Sequence, residues 1–90
     1  MIARRFLVSG MVQGVGYRYF AVRAAQRHEV VGYVRNLPDG RVEVVAEGEA
    51  SALAAFKTEL ERGPAYARVR AVQESEAAPT GRFVRFGVEF

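Results

Sequence analysis

The order in which the hydrophobic pattern changes along this 90-residue chain is the feature that most limits its possible folds. Segments of alternating or β-branched apolar residues predict strands, and two segments with apolar residues every three or four positions predict helices. The resulting order is strand, helix, strand, strand, helix, strand, followed by one further strand. Two β-α-β units joined by a hairpin fold as one sheet with both helices on the same face, since their crossovers are right-handed.

Local signals set the bounds of these elements. The predicted helices are Tyr17–His28 and Ala50–Arg62, and the predicted strands cover residues 4–12, 30–37, 41–47, 68–76 and 83–90. Pro38-Asp39-Gly40 predicts a tight turn between the second and third strands, and Gly63-Pro64 ends the second helix. We therefore expect a single α+β domain over residues 1–90. Its fold class is a ferredoxin-like βαββαβ sandwich with a mainly antiparallel sheet, two helices on one face and a short extra C-terminal strand.

The composition excludes several classes of protein. Hydrophobic residues make up 50% of the chain and charged residues 26%, which is the balance of a globular domain. The absence of cysteine excludes disulfides, thiolate catalysis and cysteine-ligated metals, and the single histidine, His28, excludes a histidine-rich metal site. No apolar stretch is long enough for a transmembrane helix and no signal peptide is evident, so we expect a cytoplasmic protein.

The formal net charge of +3 comes from twelve arginines and one lysine, Lys57, against ten acidic residues. Arginine is suited to binding phosphate and carboxylate groups through paired hydrogen bonds. The basic residues form no continuous block, so the charge favours anionic ligands in general and leaves nucleic acid as one possible ligand. Four acids that alternate along the predicted strands are expected on a solvated sheet face: Glu43, Glu47, Glu74 and Glu76.

The segment Gly10–Arg18 carries the clearest chemical signal, because it combines a strand, a glycine-rich loop and the start of a helix. The unpaired N–H groups and the positive dipole end of a helix N-terminus favour a bound anion. Glycines let the loop direct further N–H groups inward, and the Arg18 guanidinium can cover the anion. The predicted phosphate-binding residues are Gln13, Gly14, Val15, Gly16, Tyr17 and Arg18. The alternative is a tight β–α turn that requires glycine, with Arg18 merely solvated.

Asn36, the only asparagine, lies near the end of a predicted strand, where this residue type is unfavourable. Two interpretations stay open at this point. The side chain starts the following turn through an Asx hydrogen bond, or its neutral amide faces a ligand or a water molecule. His28 lies at the far end of the first helix from Gly16, and we expect it to be a helix C-terminal cation or a partly buried residue of the helix face rather than a catalytic residue.

Two segments resemble the conserved motifs of the acylphosphatase family. Gly10–Arg18 (GMVQGVGYR) resembles the family signature, and Gly32–Gly40 (GYVRNLPDG) resembles its second conserved block. Gly63-Pro64 followed by Ala67-Arg68-Val69 is similar to the usual family sequence after the second helix. The resemblance covers essentially the whole chain, in the right order and spacing. One departure is a tyrosine before Arg18, where phenylalanine is common in the family.

The resemblance implies a small enzyme that hydrolyses the carboxyl–phosphate bond of acyl phosphates without a metal, a cofactor or a covalent intermediate. Arg18 matches the family's phosphate-binding arginine and Asn36 its water-positioning asparagine. The backbone amides of residues 13–18 match the family's phosphate cradle. The implied partners are a small-molecule acyl phosphate and the product, inorganic phosphate. We expect a monomer that binds neither nucleic acid nor a membrane.

Two other functions compete with this interpretation. RNA-recognition domains share the fold class and carry aromatic residues on the sheet, but the third predicted strand, RVEVVAE, has none. A domain of the same family that binds a phosphorylated partner without hydrolysing it is disfavoured by the presence of both Arg18 and Asn36.

Overall fold

The computed structural model describes residues 1–90 and confirms the expected order of elements. These are β1 (Ile2–Met11), α1 (Tyr17–His28), β2 (Val31–Asn36), β3 (Val42–Gly48), α2 (Ala50–Arg62), β4 (Arg68–Ala77) and β5 (Phe86–Glu89). Both helices have their predicted bounds, and the first four strands differ from theirs by at most two residues at either end. The last strand is shorter than predicted, because its ladder with β2 begins only at the pair of Phe86 and Gly32.

The five-stranded sheet has the order β4-β1-β3-β2-β5. Because β1 and β2 both pair antiparallel with β3, they run in the same direction, and β5 is parallel to β2. The last residues of these three strands, Met11, Asn36 and Glu89, therefore lie at one end of the sheet. We call this end the carboxyl edge. The loop of residues 12–16 leaves β1 there, so α1 also begins at the carboxyl edge.

The hydrophobic core lies between the two helices and one face of the sheet. Phe56 of α2 packs edge-on against Phe6 and Phe86, with ring centroids 6.2 Å and 5.7 Å apart. The face of α1 buried against the sheet is rich in alanine: Ala21, Ala24 and Ala25. Each large buried apolar side chain contributes about 1.5–3 kcal/mol to folding. This packing fixes α1 against the sheet, and neither helix is long and apolar enough to cross a membrane.

The prediction that Glu43 is solvated was wrong. The residue lies on the open face of the sheet, opposite the helices, yet it is only 3% exposed. Arg5 and Arg35 from the neighbouring strands donate hydrogen bonds of 2.7 Å and 2.6 Å to its carboxylate and cover it. Burial by itself raises the pKa of Glu43, but the hydrogen bonds from the two arginines outweigh it and hold the pKa below its ordinary value.

The prediction was also wrong for Glu47, which is 1% exposed. The cause is the segment of residues 78–85, which must pass from β4 at one edge of the sheet to β5 at the other. The backbone N–H and hydroxyl of Thr80 and the backbone N–H of Gly81 donate to the Glu47 carboxylate at 2.8, 3.0 and 3.1 Å. These bonds, above all the one from the Thr80 N–H, lower the pKa of Glu47 despite its burial.

The remaining two acids of the predicted solvated face are exposed residues of β4. Glu74 pairs in register with Phe6, so it lies on the helix-bearing face rather than the open face. There it forms ion pairs with Arg4 and Lys57, both at 3.0 Å. Glu76 is exposed as expected. The alternating pattern of the strands therefore singled out these acids, but it did not predict which residues cover Glu43 and Glu47 or form ion pairs with Glu74.

We predict that Glu47→Gln destabilises the protein by about 1–3 kcal/mol at pH 7, because one donor loses its buried charged acceptor. The Glu47 pKa is lower in the folded protein than in the unfolded chain. Its stabilising contribution is therefore complete above the unfolded value of about 4.3 and is lost as the pH falls through the folded pKa. Urea unfolding at pH 7, 5 and 3 should show the gap to wild type closing as the pH falls.

Glu61→Gln is the matched control, because Glu61 is exposed on α2 and makes no ion pair. We expect it to change stability little at any of the three pH values. A gap between wild type and Glu47→Gln that stays constant from pH 7 to pH 3 would refute the assigned role of the carboxylate.

Candidate active site

A cleft of about 330 Å³ opens at the carboxyl edge, where β1, β2 and β5 end and α1 begins. It is lined by nine residues: Val12, Gly14, Gly16, Tyr17, Arg18, Tyr19, Asn36, Val88 and Phe90. Five of the residues predicted from the sequence are thus brought together, namely Gly14, Gly16, Tyr17, Arg18 and Asn36. Gln13 and Val15 belong to the same loop but do not line the cleft.

The loop before α1 presents a row of free backbone donors. Gly14 and Gly16 have φ angles of 75° and 81°, in the left-handed region that glycine adopts without strain. The first helical hydrogen bond runs from the Phe20 N–H to the Gly16 carbonyl at 3.0 Å. None of the backbone N–H groups of residues 14–19 donates to another protein atom. Together with the positive end of the α1 dipole, these donors are suited to binding an anion, and we call this arrangement the anion cradle.

Arg18 supplies the only charged side chain that lines the cleft. It lies in the first turn of α1 and forms no ion pair with a carboxylate. Its guanidinium carbon lies 5.1 Å from the centroid of the Phe90 ring, so the cation is stabilised by a cation–π interaction with this ring. Since no acid lines the cleft, the guanidinium donors are available to a bound anion.

Asn36 is the last residue of β2, and it is one of the residues that line the cleft. The Oδ1 atom is buried and accepts no hydrogen bond from the protein. Leaving a buried acceptor unpaired costs about 1–3 kcal/mol, so such atoms are rare and call for a functional explanation. The turn interpretation of Asn36 is not supported, because Asp39 makes that bond instead: its Oδ1 accepts the Arg41 N–H at 3.0 Å.

Sequence reasoning missed the contribution of β5 to the cleft. The parallel ladder pairs Val88 with Val34 of β2, and this places Val88 and Phe90 beside Arg18 and Asn36. The sequence pattern put Val88 and Phe90 on one face of a final strand, but it contained no signal for the strand that β5 would join.

Sequence reasoning also missed the side chain of Gln13, whose amide nitrogen donates to the carbonyls of Leu37 and Arg41 at 2.8 and 2.9 Å. These partners lie in the β2–β3 turn, and no local pattern indicates such a contact. The predicted role of Gln13 rested on its backbone N–H alone.

The side chains that line the cleft include no carboxylate, imidazole, thiol, amine or aliphatic hydroxyl. The Tyr17 hydroxyl donates to the Leu60 carbonyl at 2.7 Å, and this bond anchors α1 to α2. Burial raises the pKa of the Tyr17 hydroxyl well above its ordinary value, so the hydroxyl keeps its proton. His28 lies at the other end of α1 and contacts Glu59 of α2, in agreement with a non-catalytic role. The cleft can therefore bind and orient groups through hydrogen bonds, but it holds no conventional general base.

Comparison with known proteins agrees with this geometry. The family model described as Acylphosphatase matches residues 4–88. The chain is 47% identical to an acylphosphatase of Pasteurella multocida over 90 residues, which is 100% of both chains. It is 55% identical to an acylphosphatase of Solibacter usitatus over 78 residues, or 87% of this chain and 81% of the relative. The crystal structure of acylphosphatase from Bacillus subtilis matches with a TM-score of 0.95 at 36% identity, covering 100% of both chains.

The fold and the cleft together define a small α+β protein whose site is suited to a phosphate-bearing anion. The chain belongs to the acylphosphatase family, whose members are hydrolases that act on acyl phosphates. The resemblance found in the two sequence motifs is thereby confirmed over nearly the whole chain.

We predict that Gly16→Ala weakens phosphate binding through backbone strain alone. A Cβ at this position meets no atom within 4 Å, so no clash arises, but alanine at a φ of 81° costs about 1–2 kcal/mol. If half of that strain is relieved by a shift of the loop that bound phosphate must reverse, the Kd for inorganic phosphate rises about two- to fivefold. Titration calorimetry with phosphate and urea unfolding measure the two effects.

Gly87→Ala serves as the control, because a Cβ on this glycine would also meet open space, while its backbone has an ordinary strand conformation. We expect its stability and phosphate affinity to match those of wild type. Equal effects of the two substitutions would argue against the left-handed loop as the anion cradle.

Proposed function

We propose that this protein hydrolyses the carboxyl–phosphate bond of small acyl phosphates by direct attack of water on phosphorus, releasing a carboxylate and inorganic phosphate. The observation that carries the proposal is that Asn36, whose buried Oδ1 has no partner in the protein, lines the same cleft as Arg18 and most of the loop residues with free N–H groups. A residue with an unused acceptor and a set of anion donors therefore border the same cleft.

The donors account for binding of the phosphoryl group. Its oxygens accept hydrogen bonds from the loop and helix N–H groups, while the Arg18 guanidinium covers the side open to solvent. These donors are held in place before the substrate arrives, so they stabilise charge in the transition state without reorganisation. In other enzymes, removal of one such donor costs about 3–4 kcal/mol of transition-state stabilisation.

The Asn36 carbonyl accounts for the placement of the nucleophile. Its Oδ1 accepts a hydrogen bond from one water molecule and so directs a lone pair of the water oxygen toward phosphorus. An amide is too weak a base to remove a proton from water, and no other group in the cleft is suited to do so. We therefore propose that a phosphoryl oxygen of the substrate takes this proton as the new P–O bond forms.

The leaving group needs no acid catalyst. Cleavage of the bond between phosphorus and the acyl oxygen releases a carboxylate, whose conjugate acid has a pKa of about 4. Such a group departs as an anion near neutral pH. The chemistry that remains for the protein is binding, charge stabilisation and alignment, which are the functions that Arg18, Asn36 and the loop can provide.

We further propose that the enzyme acts as a monomer and does not bind nucleic acid. All residues of the cleft come from one chain, so the site needs no second copy to complete it. On the open face, β3 presents Glu43 and Glu47, whose carboxylates are engaged by arginines and by residues 80–81, rather than aromatic rings.

We predict that wild type hydrolyses benzoyl phosphate in the presence of EDTA. Asn36→Ala should lower kcat about 100-fold or more, because the water loses its acceptor, while the inhibition constant of inorganic phosphate stays nearly unchanged. Arg18→Ala should lower kcat and also weaken phosphate binding, because the anion loses its charged donor. Steady-state kinetics with phosphate as a competitive inhibitor separates the two patterns.

Arg62→Ala is the charge-matched control, because Arg62 is exposed at the end of α2, away from the cleft. It should retain wild-type kinetics. The proposal fails if folded wild type is inactive, or if Asn36→Ala is as active as wild type.

A further inference from the structure

The Gln13 side chain joins the two halves of the candidate site. Its amide nitrogen carries two hydrogens, and both are donated: one to the Leu37 carbonyl at 2.8 Å and one to the Arg41 carbonyl at 2.9 Å. Gln13 belongs to the loop that forms the anion cradle. Leu37 directly follows Asn36, and Arg41 lies on the other side of the β2–β3 turn.

The two acceptor carbonyls lie at the base of a turn that is itself closed by hydrogen bonds. The Leu37 N–H donates to the Arg41 carbonyl at 2.8 Å, and the Gly40 N–H donates to the Leu37 carbonyl at 3.2 Å. The backbone at the end of β2 is therefore rigid. A link from Gln13 to this base transmits the position of the cradle loop to Asn36.

We propose that Gln13 is a positioning residue, which holds the anion cradle and the Asn36 carbonyl at the separation that in-line attack requires. The inference rests on the proposed function. The Gln13 side chain does not line the cleft, so it acts through the loop and the turn rather than on the substrate. A misplacement of reacting groups by about 1 Å can lower a rate about 100-fold. A small displacement of the anion cradle relative to Asn36 therefore lowers kcat strongly.

The position of Gln13 also predicts which kinetic parameter changes. The N–H groups of residues 14–19 and the Arg18 guanidinium belong to one continuous loop and helix, so they keep their mutual geometry without the link. Phosphate binding therefore depends little on Gln13. Alignment of water with phosphorus depends on both halves, so kcat is the quantity that the link sustains.

The test compares Gln13→Met, which keeps the length of the side chain but removes both donors, with Asp39→Ala. Asp39 caps the same turn through the Arg41 N–H and Nε at 3.0 and 2.8 Å, without contact to the cradle loop. We expect Gln13→Met to lower kcat for benzoyl phosphate by about tenfold or more, with little change in phosphate inhibition. Asp39→Ala removes this cap but keeps both the Gln13 link and the backbone hydrogen bonds that close the base of the turn, so it should leave kcat near the wild-type value.

A double-mutant cycle with Asn36→Ala separates positioning from general damage. If Gln13 acts by placing the Asn36 carbonyl, then in a variant without that carbonyl the loss of the Gln13 donors lowers kcat little further. We expect Gln13→Met to change kcat by less than about twofold in the Asn36→Ala background. An equal loss of kcat in both backgrounds, or no loss in the wild-type background, overturns the proposal.

A structural readout keeps this inference separate from the proposed function. Asn36 is the only asparagine, so selective ¹⁵N labelling of asparagine leaves a single pair of side-chain NH₂ signals. We expect these signals to report an ordered side chain in wild type and Asp39→Ala, and a more mobile one in Gln13→Met. Inactivity of wild type would refute the hydrolase proposal alone. Unchanged order of the Asn36 amide in Gln13→Met would refute the role of Gln13.

Discussion

The candidate site depends on one constraint, which is that β1 and β2 share β3 as their antiparallel partner. The two strands must then run in the same direction and end at the same edge of the sheet. β5 adds to β2 in parallel and ends there as well. The glycine loop, Asn36 and Phe90 are far apart in the sequence, yet they lie together because the three parallel strands end at the same edge of the sheet. The core beneath them, centred on Phe56, fixes α1 so that its N-terminus faces the same cleft.

The sequence was sufficient for those features whose causes are local. The period of apolar residues predicted the bounds of both helices, and the glycines of the Gly10–Arg18 segment predicted the loop and its free N–H groups. The burial of Glu43 and Glu47 could not be predicted, because it depends on arginines from other strands and on a crossing segment more than thirty residues away. The bridge made by Gln13 was hidden for the same reason.

The buried carboxylates of the sheet have hydrogen-bond partners in the protein, whereas the polar backbone and amide groups of the candidate site do not. On the open face of the sheet, the carboxylates of Glu43 and Glu47 are fully supplied with donors, and they hold strands and the crossing segment in place. In the cleft, the Asn36 carbonyl and the N–H groups of residues 14–19 have no partner in the protein. Unpaired groups of this kind reduce the stability of the fold. The packing of the core offsets this cost, so the groups stay available to a ligand.

Titration of ¹⁵N-labelled protein with inorganic phosphate tests whether the N–H groups of residues 14–19 form the phosphate cradle. The backbone amide signals of residues 14–19 should move together and saturate, with the Arg18 side chain following the same curve. A second cleft, which is lined by Arg41, Arg68 and Arg70 and by none of residues 14–19, provides an internal comparison. Saturable shifts at that second cleft, with residues 14–19 unmoved, would contradict the assignment of the site.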